Sequence, residues 1–155
     1  MRVAITTAVE TDVPEALIRE ALLDFSERRL VTWSKTLDPA SYVVHSVGAT
    51  TADVTEGNRW PRVWSREEYD WSTPGRISWT SRESNFCRPG SFIAMDIRPL
   101  ESGGSRVTVT WDRTAANLRG RLWLLPAKLL GPRLLSWATH QALEQIRAAD
   151  LAPRP

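Results

Sequence analysis

The chain has 155 residues, 42% of them hydrophobic and 25% charged, which suits one folded domain with a substantial core and excludes a disordered chain. Its 20 basic and 18 acidic residues leave a net charge of only +2, and the basic residues are scattered, so no nucleic-acid footprint is expected. The lone Cys87 excludes a disulfide framework; with no apolar signal core near the N-terminus, the expected location is the cytosol.

Residues 3–9 have the β-branched character of a strand. Thr11 or Asp12 as a cap, Pro14 near the first turn and Glu15 at the positive dipole end then predict a helix start. Ile18, Ala21, Leu22 and Phe25 form its apolar stripe. Ser26 and Glu27 predict a second short helix carrying Leu30 and Trp33, ended by Asp38-Pro39. Extended segments follow at 42–49, 50–55, 63–71, 76–84, 91–97 and 106–113. The short connections between them, among them Ser72-Thr73-Pro74-Gly75, Pro89-Gly90 and Gly103-Gly104, predict an antiparallel meander.

In the last third, Leu135, Ala138, Ala142, Ile146 and Ala149 share one helical face, with Arg133, Ser136, His140, Glu144 and Arg147 opposite. Pro132 should kink or restart that helix. The stretch 122–137 is the most apolar, but Pro126, Lys128, Pro132 and Arg133 interrupt it, so no stable membrane insertion is expected. The expectation is a single domain over residues 1–150 and a flexible tail over 151–155.

A strand, two short helices, a run of strands and one long helix imply an α+β fold. A curled antiparallel sheet of about six or seven strands has one apolar face, and a long amphipathic helix covers it. This order resembles the START-like, helix-grip superfamily of polyketide cyclases/dehydrases and lipid-transport proteins. Val54-Thr55-Glu56-Gly57, Tyr69-Asp70-Trp71-Ser72-Thr73-Pro74-Gly75-Arg76 and Gly103-Gly104-Ser105-Arg106-Val107 are similar to an actinobacterial-type subgroup. The Arg-heavy composition, with Lys only at 35 and 128, agrees with a high-GC source. The resemblance spans nearly the whole chain and implies a hydrophobic-ligand fold. Its motifs are turns and strands without a reaction signature.

No metal or cofactor is expected. His45, His140 and Cys87 lie on different predicted elements without ligand spacing, and Gly103-Gly104 joins two strands, not a strand to a helix. His140 falls on the polar helix face. His45 alternates with Val43 and Val47, so a concave face would point it inward as an acid, a base or a hydrogen-bonding anchor; a hydrogen-bonded core histidine is the alternative.

A five-residue connection over 72–76 would pair Trp71 with Ile77, Tyr69 with Trp79 and Glu67 with Ser81, gathering apolar side chains on one face. That register puts Glu67 and Glu83 at the inner face or its rim, as acid/base groups or as salt-bridge partners of arginines. Eight tryptophans stand against two tyrosines and three phenylalanines, to fill a core or to line a hollow.

The expected ligand wall comprises Trp33, Tyr69, Trp79, Ile93, Met95, Val109 and Trp111 with Leu122, Leu125 and Leu129; His45 and Glu67 are its polar anchors. The leucine-rich stretch 122–135 is expected to be buried in the sheet's grip, with a gate, a membrane-touching lip or a homodimer contact as alternatives. Three functions follow. The first is binding or transport of a small hydrophobic ligand. The second is a cyclase or dehydratase using His45 or Glu67. The third is an interaction protein with a filled core.

Overall fold

Period-two alternation over the middle of the chain becomes a continuous meander of strands. The computed structural model describes residues 1–153. β1 (Arg2–Thr11) leads into α1 (Glu15–Leu23), α2 (Arg28–Thr32) and a single 3-10 turn at Pro39–Ser41. The strands β2 (Val43–Val47), β3 (Thr51–Asn58), β4 (Val63–Asp70), β5 (Arg76–Ser84), β6 (Phe92–Pro99) and β7 (Ser105–Thr114) follow. The chain then forms α3 (Leu118–Leu130) and α4 (Pro132–Leu151).

The seven strands make one antiparallel sheet in the order β1-β7-β6-β5-β4-β3-β2, not closed into a barrel. Alternation selects its inner face: Val63, Ser65, Glu67 and Tyr69 of β4 are buried, with Trp64, Arg66 and Glu68 between them less so. Against that face lies α4, with Leu135, Thr139, Leu143 and Ile146 on one helical side. From the N-terminal helices, Ile18 and Leu22 complete the core.

The β4–β5 register is the expected one, with Tyr69 opposite Trp79 and Glu67 opposite Ser81. A bulge between Arg66 and Glu67 then shifts the ladder, so Glu83 pairs with Arg66 and is exposed. Glu83 is therefore not an inner-face carboxylate. β3 also runs further than expected, through Glu56 and Gly57 to Asn58. At the start of α1, Pro14 occupies the cap position, and Thr11 accepts from the Val13 backbone N–H instead of capping.

Two further expectations are corrected. His45 does not point into the sheet: β2 is an edge strand exposed along its length, and His45 is the extra residue of a bulge between Val44 and Ser46. It meets Thr55 Oγ1 at 2.8 Å on the outside. The leucine-rich stretch is gripped only in part: Leu124, Ala127 and Leu135 are buried, and its other leucines are not covered by the sheet. Gly131, at φ 54°, ends α3, and Pro132 begins α4 as a new helix. α3 buries Gly120, Leu124 and Ala127, leaving Leu122, Leu125 and Leu129 exposed. The expected tail 151–155 loses Leu151 to α4, and Arg154 and Pro155 lie outside the described residues. No helix of the described residues is long and apolar enough to cross a membrane.

Gly120 holds α3 against the chain at Phe86, because a Cβ there would overlap the Phe86 carbonyl. Gly120→Ala should therefore destabilise the protein by about 1–3 kcal/mol despite alanine's better helix propensity. The urea midpoint reads this directly; an unchanged midpoint would mean that α3 does not depend on that approach.

Candidate ligand cavity

Between the inner sheet face and α4 the side chains leave a cavity of about 340 Å³, partly open to solvent. Strand alternation explains most of its wall, since residues two apart share a face. Val63, Ser65, Glu67 and Tyr69 come from β4 and Trp79 from β5, while Ile93 and Met95 of β6 adjoin Val109, Trp111 and Arg113 of β7. The roof is helical: Leu135, Ala138, Thr139 and Ala142 recur along α4, and Trp123 reaches in from α3. At the far end stand Leu22 and Arg29, with Trp33 just past α2.

Of the expected wall, Trp33, Glu67, Tyr69, Trp79, Ile93, Met95, Val109 and Trp111 line this space, whereas His45, Leu122, Leu125 and Leu129 stand outside it. Tryptophans thus border a hollow instead of filling it. Tyr69 and Trp79 stack with ring centroids 5.3 Å apart at 18°, and Phe25 meets Tyr69 edge-on at 5.1 Å. These contacts fix ring orientation along one wall.

Two polar networks enter the same space, and sequence reasoning missed their key members. Arg29, only 4% exposed, donates from Nε to Glu56 Oε1 at 2.5 Å and from Nη2 to the Tyr69 hydroxyl at 2.9 Å. Its Nη1 donates to the carbonyls of Leu22 and Asp24, at 3.0 and 3.2 Å. Tyr69 in turn donates to Glu56 Oε2 at 2.7 Å. Burial, and then the charge of Glu56, push the Tyr69 hydroxyl well above its usual range, so it remains a donor. With each of these groups answered by a partner, the cluster clamps α2 onto β3 and β4.

The second network is incomplete. Arg113 donates from Nη2 to Glu67 Oε1 at 3.0 Å and from Nη1 to Cys87 Sγ at 3.4 Å, and its guanidinium lies 5.6 Å from the Phe86 ring centroid. Ser65 and Ser81 share a hydrogen bond of 2.5 Å, and Cys87 Sγ donates to Ser81 at 3.4 Å. Glu67 Oε2 has no partner among the described residues, nor does Trp33 Nε1, and both side chains line the cavity. A third unpartnered atom, Gln145 Oε1, belongs to a residue off the lining. Burial pushes the Glu67 carboxyl above its ordinary value, with the adjacent Arg113 and the Ser65 hydroxyl opposing the shift.

The only sequence signal for these residues was parity: Arg113 shares the inner face with Val109 and Trp111, and Glu56 lies two residues beyond Val54. Among the described residues, no cluster of three or more His, Cys, Asp or Glu side chains is arranged to hold a metal ion.

Breaking the buried pair from one side should be costly. Arg113→Met should lose about 3–5 kcal/mol of stability in urea melts, whereas Arg113→Met with Glu67→Met should recover most of it. A double variant as weak as the single one would show that the pair itself is stabilising. The pH dependence has a definite sign. A carboxyl whose folded pKa is raised contributes stability below its unfolded value and loses it as pH rises through the folded value. Glu67→Gln lacks that loss, so its stability should gain on wild type as pH rises above the ordinary carboxylate range. A gap that narrows in the opposite direction would mean that Arg113 outweighs burial.

No protein-family model and no curated protein matches this sequence. Solved structures do match. A START superfamily protein from Mycobacterium smegmatis is 11% identical, with a TM-score of 0.65 over 93% of each chain. A protein from Thermus thermophilus is 18% identical, with a TM-score of 0.68 over 94% of this chain and 98% of its own. The Zhui aromatase/cyclase from Streptomyces sp. R1128 is 14% identical, with a TM-score of 0.61 over 97% and 90%. Identities this low speak to architecture alone. A seven-stranded open antiparallel sheet around a long C-terminal helix, matched end to end by these structures, is the START-like helix-grip fold.

Proposed function

We propose that this protein binds a small, flat, mainly apolar molecule that carries a hydrogen-bond donor at one point and an acceptor at another. The observation that carries this reading is a pair of buried, unpartnered polar atoms, Glu67 Oε2 and Trp33 Nε1, on two of the side chains that line an otherwise largely apolar cavity. A buried polar atom without a partner costs about 1–3 kcal/mol, and a ligand that completes it recovers that cost on binding. A cavity of about 150 Å³ admits benzene, so about 340 Å³ suits a molecule of two or three fused rings. The stacked Tyr69 and Trp79 favour such a flat ring system. Hydroxylated aromatics, polyketide-like rings and lipids with a hydroxyl headgroup are the classes to screen. Buried, unpaired Cys87 supports a reducing compartment such as the cytosol.

A second reading rests on the same carboxyl. Glu67, with its pKa raised by burial, could take a proton from a ligand held by the aromatic wall, as a cyclase or dehydratase requires. Its fixed place beside Arg113 would supply orientation as well as charge. In this reading Glu67 carries the acid/base role alone, because His45 is outside the cavity.

Native mass spectrometry of the purified protein, compared with its denatured mass, tests the binding reading. An apolar adduct lost on denaturation is the expected result. No adduct, together with no thermal protection by aromatics, polyketides or lipids, would overturn it. With a ligand in hand, Glu67→Gln should weaken binding about tenfold if Glu67 only accepts a hydrogen bond. Turnover lowered about 100-fold or more with affinity nearly unchanged would assign proton transfer instead.

A further inference from the structure

The apolar side of α3 is turned outward. Leu118, Leu122, Leu125 and Leu129 recur at steps of four, three and four residues, which places them within about 60° of the helix circumference. All four are exposed, Leu122 to 63% and Leu129 to 73%. The opposite side is anchored, since Gly120, Leu124 and Ala127 are buried against Val3, Ala115 and the chain at Phe86. The stripe is therefore not loose packing. The helix is held by one face and presents the other.

Cations flank the stripe. Arg121 and Lys128 fall on one side of it and Arg119 on the other, and Arg133 opens the first turn of α4. Among the described residues none of these four is ion-paired, and Arg119 only donates to the Arg62 carbonyl at 3.3 Å. No Asp or Glu occurs anywhere between Arg113 and Glu144. Elsewhere on this protein, exposed arginines are commonly answered: Arg2 pairs with Asp112, Arg76 with Asp96 and Arg82 with Glu68.

Two demands meet on this face: leucines seeking an apolar phase, and cations lacking anions. A second copy of the same face would satisfy the first demand while setting cation against cation. An anionic lipid surface satisfies both, with leucines at the headgroup–acyl boundary and the basic side chains on the lipid charge. We propose that α3 is a membrane-surface docking helix for bilayers rich in anionic lipid. Trp123, one position beyond Leu122, lines the cavity and meets Phe86 edge-on at 6.5 Å. Docking through the leucines would therefore engage the helix whose inward side supplies Trp123 to the cavity. The inference stands on α3 and holds whichever ligand the cavity takes.

Co-sedimentation of the full chain with vesicles tests it. Phosphatidylcholine vesicles are compared with vesicles in which about one-third of the lipid is phosphatidylglycerol. The bound fraction should be at least about fivefold higher on the anionic vesicles and should fall in about 0.5 M salt. Leu122→Ser with Leu129→Ser should lower binding about tenfold, as should Arg121→Glu with Lys128→Glu. Both pairs are solvent-exposed, so thermal melts should match wild type. Absence of binding to the anionic vesicles would overturn the proposal. So would binding that survives the leucine substitutions, which would mean attraction by scattered charge. A dimer seen by light scattering and abolished by those substitutions would assign the stripe to a second copy and overturn it too.

Discussion

The geometric mismatch between one sheet and one helix governs this molecule. Seven strands about 4.8 Å apart span roughly 29 Å before curling, whereas a helix with its side chains is only about 10–12 Å across. α4 therefore cannot cover the inner face alone. The N-terminal helices and Trp33 close one part, Trp123 and Phe86 another, and the remainder is left as the cavity. The bulky side chains that β4 to β7 turn inward stand around that gap. The hollow follows from the architecture, and its chemistry follows from which side chains the strand parity turns towards it.

Inside that hollow the two arginine clusters contrast. Around Arg29 each acceptor is matched to a donor, and the Tyr69 hydroxyl bridges the guanidinium to Glu56, so the cluster ties helix to sheet. Around Arg113 the matching stops one atom short, at Glu67 Oε2. A buried ion pair is a weak source of stability even when complete, because the desolvation of two charges offsets their attraction. In the proposed reading, a ligand in the hollow supplies the partner that the incomplete pair lacks. The exterior has the converse arrangement on α3, where leucines face water and, among the described residues, the flanking cations have no ion pair.

Much of the wall was legible because a strand's two faces are decided by parity. Ile93 and Met95, or Val109 and Trp111, had to share a side, and the preference for gathering Tyr69, Trp71, Ile77 and Trp79 selected the hairpin register found. Parity says nothing about whether a face is covered. His45 shares its alternation with Val43 and Val47, yet β2 is an edge strand with no layer over it, and a bulge sits at that residue. Another bulge, between Arg66 and Glu67, moved Glu83 to the outside. For the arginines the obstacle was composition: with basic residues spread along the chain and arginine normally exposed, nothing local distinguished Arg29 from its solvated neighbours, and the parity that put Arg113 on the inner face does not say whether that end of the strand is covered.

The sequence by itself determined the element order, the antiparallel meander, the break at Pro132 and the residues that share each strand face. All of these depend on interactions within a few residues: turn chemistry, side-chain periodicity and the steric limits of proline. Only the tertiary structure decided that a cavity remains, that Arg29 and Arg113 are buried, that Glu67 keeps one oxygen unpartnered, and that the leucines of α3 face outward. Each of those depends on what packs over a surface from a distant part of the chain. An apolar helix side looks the same in sequence whether protein covers it or water does.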